Sequence, residues 1–439
     1  MANSDLPIGP YDVPESWTNL DEIEAVPPIE NPDELPVYRH TTLEGERSRE
    51  QEHSEDRERW SHRPGSRAPE QLQLQIEEED SNEDKPSKAA LQLYVHSYLI
   101  FFSIWGTLAR KGMAYLTTYA GTPIIFDTIW VNFTGCLIMG FVLEDRKMFL
   151  YEWGSPTYHR QILMERKRQK DEQSGESSGH DSIDLNAAKK SFLSTKRSIP
   201  LYIGLTVGFC GSFTTFSGFI LDAFLALRTD RNGGYSFMAL TGILIATVSI
   251  SLSGFKAGAQ LAIAFEGVMP ALPYIFMRKY LDRSAVLIGL GSWLGAVLLC
   301  IFSPHDAWRG RMLFALVLSP LGTFARFHLA TCLNGRSASF PAGTFAANVL
   351  GSIILAAAWD VEHAAVGGVV GCQVLRGVED GFTGCLSTVS TWVTEISSLK
   401  RKHAYFYGLA SILTSLVAVI LVSGSMAWST GIHEPLCIS

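Results

Sequence analysis

Two phenylalanines follow a polar turn inside an otherwise apolar stretch, residues 208–219, which reads GFCGSFTTFSGF. Phe216 and Phe219 are three residues apart, so their rings lie on one face of a helix. The edge of a phenyl ring carries the positive side of its quadrupole, so it attracts an anion. This attraction is weaker than that of a positively charged group. Conduction through a narrow pore requires such weak binding at successive positions. A pair of this kind commonly packs against other helices or contacts lipid; beside a polar turn it would also suit a passage for a small anion.

The polar turn, residues 211–215, combines a flexible glycine with two β-branched residues, Thr214 and Thr215. Both residue types weaken a helix, so this turn unwinds at little cost. In lipid, irregular backbone is tolerated only where it is buried in protein or lines a cavity. The freed carbonyl groups could bind a cation, as unwound segments do in transporters. A close crossing of small residues with no ion is the alternative.

The chain repeats itself, and such self-similarity defines its architecture. Three matches carry the repeat, two at an offset of 216 residues and the last at 173: Gly106–Arg110 with Gly322–Arg326, Asn132–Gly135 with Asn348–Gly351, and Gly208–Phe219 with Gly381–Trp392. The offset falls because only the first copy contains a long hydrophilic loop, residues 144–198. An acid, Asp222 or Glu395, follows the last aromatic of each copy by three residues.

Nine apolar segments follow Leu91, each long enough to span a hydrocarbon layer about 30 Å thick. They cover about 92–119, 124–143, 199–227, 236–263, 284–303, 311–333, 341–359, 366–396 and 404–428. These segments are apolar all round, whereas helices of soluble proteins carry one apolar stripe. The sequence therefore predicts an all-α polytopic membrane protein.

The odd number of segments predicts how the repeats are arranged. Each repeat holds four segments, and one extra segment, 284–303, joins them. Five crossings precede the second repeat, so it enters the membrane upside down. We therefore expect two inverted four-helix repeats joined by a linking transmembrane helix, nine spans in all, with sites near the midplane. The boundaries are 91–266 for the first repeat, 267–307 for the linker and 308–430 for the second repeat.

Residues 1–90 differ in composition from the rest of the chain. They hold 23 acidic and nine basic residues, with 10 of the 19 prolines, and no sustained apolar run. Such a segment cannot bury enough apolar surface to offset its ordering entropy, so we predict a disordered acidic tail. It lacks the apolar core of a signal peptide, so we expect it to stay in the cytoplasm.

Lysine and arginine cluster in the loops 144–198, 278–283 and 400–403. With nine crossings these loops share one side with the N-terminus, and basic loops face the cytoplasm. The expected orientation has a cytoplasmic N-terminus and a short extracellular tail, residues 431–439. Arg309 and Arg311 are exceptions to this rule, because the expected orientation places them in an extracellular loop.

The sequence carries no pattern typical of other chemistries. The seven cysteines show neither metal-binding spacing nor a paired framework, and we expect the six in apolar segments to be small buried residues. No ordered Ser-His-Asp grouping, phosphate loop or metal-ligand cluster indicates an enzyme. The basic residues of 160–170 are typical of a solvated cytoplasmic loop rather than of a nucleic-acid site.

The repeated motifs resemble those of a known family. Gly-Thr-x-x-Arg, Asn-x-x-Gly and Gly-Phe-x-Gly-x-x-Thr-Thr-Phe-Ser-x-Phe followed by an acid are similar to motifs of the Fluc/CrcB fluoride channels. Two such sets and a linking helix in one chain resemble the eukaryotic form, the FEX fluoride exporters. The resemblance covers 91–430. It implies a passive, fluoride-selective plasma-membrane channel that protects against fluoride toxicity and works as a single-chain pseudo-dimer.

The resemblance also implies roles for residues of both repeats. It places the pore at Phe216, Phe219, Asn132, Asn348, Thr215, Tyr407, Ser411, Ser415 and Trp392. It places charged vestibule residues at Arg110, Arg326, Asp222 and Glu395. It places a structural Na⁺ on the backbone carbonyls of Gly211, Thr214, Gly384 and Ser387.

The two repeats have lost different parts of this set. The second repeat replaces the two phenylalanines with Val389 and Trp392, and it alone keeps a polar track on its last helix. That track is Tyr407, Ser411 and Ser415, opposite Phe237, Thr241 and Ile245 of the first repeat. Because an antiparallel pair forms two pores from residues of both repeats, complementary losses predict one working pore, completed by Asn132 or Asn348.

Two other functions are left open by the residues. One is an ion-coupled carrier of another small anion on the same scaffold, although the spans lack the buried carboxylate or histidine chains usual in proton coupling. The other is a membrane scaffold that docks partners through its acidic tail and keeps a vestigial transport fold. Fluoride efflux from liposomes separates the three, since a channel is fast and uncoupled, a carrier slow and gradient-coupled, and a scaffold inactive.

Overall fold

A computed structural model describes residues 88–119, 126, 128–145, 147–149, 196–228, 233–272, 276–303, 305, 308–364, 368–429 and 435. Within these ranges every regular element is helical, as the sequence predicts. Nearly all of the acidic tail, most of the hydrophilic loop and most of the C-terminal tail lie outside the described residues.

The helices of the first repeat are α1 (Lys88–Thr117), α2 (Thr128–Glu144), α3 (200–213), α4 (Phe216–Leu227) and α5 (Gly233–Ala264). The linking helix is α6 (Asp282–Ile301), which continues a π-helical stretch, Phe276–Leu281. The helices of the second repeat are α7 (Phe314–Leu333), α8 (Ala342–His363), α9 (369–386), α10 (Ser390–Ser398) and α11 (Arg401–Ser429).

Seven helical stretches among the described residues are long and apolar enough to cross a membrane. The helix α2 is apolar but has only 17 residues, and the stretch from α9 to α10 is not among the seven. All nine predicted segments contain helix, and seven of them have the length and apolarity of a complete span.

The third segment of each repeat has the same interrupted form. A π-helical stretch, Gly204–Cys210 in α3 and Val378–Thr383 in α9, leads into one final α-helical turn. The backbone is then extended at Thr214 (φ −86°, ψ 155°) and at Ser387 (φ −89°, ψ 154°), before α4 and α10 begin. The structure confirms both predicted helix breaks.

The linking helix α6 contacts both repeats. Tyr98 on α1 donates a hydrogen bond to Asp282 at 3.1 Å, and the Trp293 indole donates to the Val317 carbonyl of α7 at 2.9 Å. The exposed side of α6 is apolar, as contact with lipid requires. Its largest exposed residues include Leu287, Leu290, Leu294, Leu298 and Leu299.

Two cysteines depart from the sequence prediction. Five cysteines of the described residues are free, and four of these are buried, as expected, whereas Cys332 is exposed. Cys372 on α9 is instead disulfide-bonded, with a partner outside the described residues. The prediction that no cysteine is paired is therefore wrong at this position, because pairing depends on separation in space rather than in sequence.

Candidate anion pathway at the crossed helix breaks

The two helix breaks cross, and hydroxyl groups join them. The Thr214 hydroxyl lies 3.1 Å from the hydroxyls of both Thr388 and Ser390. The backbone N–H of Ser217 donates to the Ser387 hydroxyl at 3.0 Å, and the two serine hydroxyls are 2.8 Å apart. All five side chains are buried. The expected meeting of the two breaks is confirmed.

The contacts at the crossing repeat with pseudo-two-fold symmetry. Ser217 donates to the Thr383 carbonyl at 3.4 Å, and Ser390 donates to the Cys210 carbonyl at 3.0 Å. Each residue of the first bond lies 173 positions from its counterpart in the second. Equivalent groups of both repeats therefore meet at one place, as in transporters built from inverted repeats.

Each break is held by the asparagine of its own repeat. Asn132 accepts a hydrogen bond from the Thr215 N–H at 2.9 Å and donates to the Thr215 carbonyl at 3.2 Å. Asn348 makes the same pair with Thr388, at 2.8 and 3.2 Å. An amide group has two N–H donors, and these bonds use one in each asparagine. The asparagines thus fix the unwound backbone and keep a second donor.

Two arginines hold the π-helical stretches from the opposite repeat. Arg326 on α7 donates to the Val207 carbonyl of α3 and to the Cys385 carbonyl, at 2.8 Å each. Arg110 on α1 donates to the Asp380 carbonyl of α9. Val207 and Asp380 are equivalent positions of the two repeats, so these two contacts are related by the pseudo-two-fold axis. The bond from Arg326 Nε to Cys385 has no counterpart among the described residues, where the Nε of Arg110 has no partner.

Glycine is required where each arginine passes a break. A Cβ at Gly211 would collide with the guanidinium of Arg326, and a Cβ at Gly384 would collide with that of Arg110. Arg326 is 2% exposed and Arg110 is 5% exposed. The sequence assigns both arginines to the vestibules; the contacts give each of them a second role, which is to hold the breaks.

The two repeat-matched acids each bind a threonine of the same repeat. Thr128 donates to Asp222 at 2.5 Å, and Thr344 donates to Glu395 at 2.6 Å. Glu395 also accepts the Tyr407 hydroxyl at 2.6 Å. This bond engages the Tyr407 hydroxyl, so the ring is the part of the side chain that remains for contact with the neighbouring hydrophobic cluster.

Phe216, Phe219 and Trp392 form one buried aromatic layer. The Phe216 and Phe219 centroids are 5.7 Å apart, and those of Phe216 and Trp392 are 5.3 Å apart, both with edge-to-face geometry. These rings are at most 1% exposed and share a hydrophobic cluster with Tyr407. The pseudo-two-fold relation maps the Phe216–Trp392 contact onto Val389 and Phe219. Only one of the two related positions therefore has two aromatic rings.

Three buried side-chain donors of the second repeat have no hydrogen-bond partner among the described residues. They are the Thr391 hydroxyl, the indole N–H of Trp392 in the aromatic layer and the hydroxyl of Ser415 on the polar track. Ser411, one turn before Ser415 on the polar track, donates to the Tyr407 carbonyl at 2.7 Å. An unpaired buried donor costs about 1–3 kcal/mol, so such a group calls for an explanation such as a ligand.

The last helix of the first repeat turns a different face inward than the repeat alignment predicts. Phe237 and Ile245, aligned with the polar track, are each 62% exposed. The buried hydroxyls of α5 belong instead to Ser236, Thr247 and Ser251. The pairing of the track with Phe237, Thr241 and Ile245 is therefore wrong. Close glycine contacts seat α5 against α2 and set its rotation.

A cavity of about 180 Å³ lies beside the first break. It reaches Thr215 and Gly384, and its charged lining residues are Arg110, Lys111, Asp222, Glu379 and Asp380. Lys111 and Asp380 form an ion pair at 2.7 Å. Of the four predicted vestibule residues, Arg110 and Asp222 line this cavity, whereas Arg326 and Glu395 do not.

The backbone carbonyls of Thr214 and Ser387 suit a cation between the breaks. Both lie in extended backbone beside the crossing, and neither accepts a hydrogen bond from a described residue. Buried carbonyls without partners are uncommon, and unwound backbone carbonyls coordinate Na⁺ in transporters. With Gly211 and Gly384 one turn earlier, these residues fit a Na⁺ bound by backbone oxygens.

Sequence reasoning missed several residues of the site. Ser217 and Ser390 join the breaks, and their equivalent positions in the two copies were an available signal. Lys111, Glu379 and Asp380 line the cavity. None of these three recurs in the other repeat, so the comparison of repeats had no signal for them.

Comparisons with known proteins agree with the motifs. A family model described as CrcB-like protein, Camphor Resistance (CrcB), matches residues 97–259 and 313–425. Fluoride export protein 1 of Neurospora crassa is 47% identical, over 98% of this chain and 85% of its own length. Fluoride export protein 1 of Candida albicans is 31% identical, over 76% of this chain and 80% of its own length.

A bacterial relative matches a shorter stretch. The fluoride-specific ion channel FluC of Pseudomonas aeruginosa is 31% identical, over 28% of this chain and 98% of its own length. No solved structure matches the chain. Because the family model covers both repeats and the Neurospora relative covers nearly the whole sequence, this chain belongs to the CrcB-like protein family.

Proposed function

We propose that this multi-pass membrane protein is a fluoride-selective channel that exports cytoplasmic fluoride passively across the plasma membrane and so protects against fluoride toxicity. The observation that carries the proposal is the buried aromatic layer at the crossed breaks, with unpartnered donors on Trp392 and Ser415. The names of the relatives, fluoride export protein and fluoride-specific ion channel FluC, support fluoride as the ion.

The layer can replace the hydration of a small anion without trapping it. The ring edges of Phe216 and Phe219 offer weak electrostatic attraction. The Trp392 N–H, the Ser415 hydroxyl and the second amide N–H of an asparagine offer hydrogen bonds. Several weak contacts in sequence allow an ion to enter and to leave, as conduction demands.

One pore carries the flux in this proposal. It runs past the position where Phe216 meets Trp392 and continues along the polar track, Tyr407, Ser411 and Ser415. The related position, Val389 with Phe219, has lost one of its two rings. Since each pore uses residues of both repeats, one complete set is enough for a working channel.

We further infer nine spans, with the two repeats inverted within one chain. The pseudo-two-fold pattern of the Asn, Arg and Ser contacts supports the inversion. The disulfide at Cys372 supports the orientation, because disulfides persist on the oxidising side of the membrane. In this arrangement α9 begins on the extracellular side, while the N-terminus is cytoplasmic and the C-terminus extracellular.

A structural Na⁺ belongs to the same proposal. The carbonyls of Gly211, Thr214, Gly384 and Ser387 would hold it, and the ion would add a positive charge where the breaks cross. We expect Na⁺ to raise the thermal unfolding temperature of the purified protein, and K⁺ or a bulky organic cation not to do so. Equal unfolding temperatures in all three salts would contradict a Na⁺ site.

Fluoride efflux from liposomes that contain the purified chain tests the proposed function. A membrane potential drives an anion with about 2.3 kcal/mol per 100 mV, so we expect rapid, voltage-driven efflux that excludes chloride. Slow efflux that depends on a second ion gradient would favour a coupled carrier. Absence of efflux from correctly inserted protein would favour a scaffold.

A further inference from the structure

A pair of histidines joins the two repeats away from the anion path. His96 lies on α1 and His328 lies on α7, and their Nε2 atoms are 3.5 Å apart. His96 is half-buried and His328 is exposed. Neither histidine belongs to the helix breaks or to the aromatic layer, so the proposed function gives this pair no role.

The separation of the two nitrogens matches a metal site. Zinc binds histidine nitrogen at about 2.0–2.1 Å, so two ligands of a tetrahedral site are about 3.3–3.4 Å apart. The observed 3.5 Å between the Nε2 atoms of His96 and His328 is close to that spacing. The two nitrogens also meet the geometry of a hydrogen bond, and a bridging metal ion would take the place of that bond with little movement of either helix.

A hydrogen bond prepares His96 to act as a ligand. Its Nδ1 lies 2.8 Å from the Gln92 carbonyl oxygen. A carbonyl oxygen only accepts hydrogen bonds, so the ring proton resides on Nδ1 and the Nε2 lone pair faces His328. Metal-binding histidines typically have their second nitrogen fixed in this way.

Aromatic contacts hold both imidazoles in place. His96 packs against Phe324 and Phe327 with centroids 5.3 and 6.0 Å apart, and Phe327 packs against His328 at 5.5 Å. The described residues offer no cluster of three or more candidate side-chain ligands, so this part of the chain would supply two ligands, and water molecules would complete the coordination.

We propose that His96 and His328 bind a divalent transition-metal ion, with water completing its coordination. Imidazole suits Zn²⁺, Cu²⁺ and Ni²⁺, whereas Mg²⁺ and Ca²⁺ prefer oxygen ligands. The ion would link α1 of the first repeat to α7 of the second through the two histidine side chains. In the proposed orientation this site faces the cytoplasmic side, so bound metal clamps the two repeats at that end.

Zn²⁺ titration of the full-length chain, free of any histidine tag and reconstituted in nanodiscs, tests the site. We expect one Zn²⁺ per chain by calorimetry and a higher unfolding temperature, because a ligand that binds only the folded state stabilises it. His96→Gln and His328→Gln should each abolish the binding and the shift in unfolding temperature. His363→Gln is the matched control and should keep both. Unchanged Zn²⁺ binding in either of the first two variants would overturn the proposal.

Two further measurements separate this site from folding defects and from the transport function. Co²⁺ added to the unmodified protein should give the visible absorption of a tetrahedral complex, and its absence would overturn the proposal without any variant. In metal-free buffer, His96→Gln and His328→Gln should conduct fluoride like the unmodified protein. Because metal binding and fluoride flux are measured independently, failure of one leaves the other to be judged by its own result.

Discussion

At the scale of single residues, Trp392 shows that divergence of a repeat can add chemistry. In the sequence it is the degenerate counterpart of Phe219. In the structure it packs edge-to-face with Phe216 and brings an indole N–H that has no partner among the described residues. A phenylalanine at this position would keep the ring and lose the donor, so the two contributions can be separated experimentally.

We expect Trp392→Phe to lower fluoride flux roughly tenfold or more, because a hydrogen bond to a charged group contributes about 1.5–3 kcal/mol. Its unfolding temperature should stay close to that of the unmodified protein. Trp293→Phe is the matched control, since its indole N–H serves the Val317 carbonyl at the linking helix. Liposome flux is the measurement, and unmodified flux in Trp392→Phe would mean that the ring edge alone suffices.

The two asparagines make a residue-scale prediction about stability. Asn132→Ala and Asn348→Ala each leave a backbone N–H and a carbonyl of a break without partners, at about 1–3 kcal/mol for each unpaired group. The matched bond lengths predict similar decreases in unfolding temperature for both variants. A large decrease in only one of them would contradict the structural equivalence of the two breaks.

At the scale of elements, each helix break depends on groups from outside its own helix. The break after α3 is held by Asn132 of α2, by Arg326 of α7 and by hydroxyls of the opposite break. Glycine at position 211 lets the guanidinium of Arg326 approach the backbone. The unwound turns are therefore positioned by tertiary contacts, although their sequences make unwinding inexpensive.

We predict that Gly211→Ala and Gly384→Ala greatly reduce the yield of folded protein. Each added methyl group would displace a buried arginine, and overpacking of this kind costs about 1–3 kcal/mol before any lost hydrogen bond is counted. Gly291→Ala in the linking helix is the matched control, because no atom lies within 4 Å of the added Cβ. Size-exclusion chromatography and thermal unfolding measure the outcome. Normal behaviour of Gly211→Ala would contradict the close packing of Arg326.

At the scale of the whole molecule, the pseudo-two-fold contacts create two related positions beside the breaks. These two positions differ in their aromatic side chains. The asparagine bonds and the bonds of Ser217 and Ser390 recur at equivalent positions of both repeats, whereas the aromatic layer and the last helices differ. The structural frame is therefore symmetric and the proposed conduction path is asymmetric.

One working pore predicts unequal effects of matched substitutions. Phe216→Ile should sharply reduce fluoride efflux and cellular fluoride resistance, because it removes a ring edge from the intact aromatic pair. Ser411→Ala should do the same on the polar track. Val389→Ala should have a mild effect, because the related position has already lost one ring. Thr241→Ala should also be mild, because the structure does not place this residue opposite the polar track. Equal, partial losses from both sets would instead indicate two pores that conduct in parallel.

The inverted repeats also predict the topology. An epitope placed after Ser439 should be stained on intact cells, because nine crossings and a cytoplasmic N-terminus put the C-terminus outside. An N-terminal epitope should be stained only after permeabilisation and serves as the matched control. Staining of the C-terminal epitope only in permeabilised cells would contradict the inverted arrangement.

The sequence by itself determined the features that depend on local composition and on repetition. All-round apolarity predicted the helices, glycine with β-branched residues predicted the two breaks, and the offsets between repeated motifs predicted which groups would be equivalent. Each of these depends on residues close together in the chain or on comparison of one stretch with another. The structure confirms the helices and the breaks, and the family match covers both repeats.

Only the tertiary structure decided which groups meet. It placed Trp392 on Phe216, engaged the Tyr407 hydroxyl with Glu395, and turned Phe237 and Ile245 outward. These outcomes depend on the rotation of each helix about its axis, which close packing against neighbouring helices sets to within a fraction of a turn. A repeat alignment carries no information about that rotation, because equivalent positions in two diverged helices can face different neighbours.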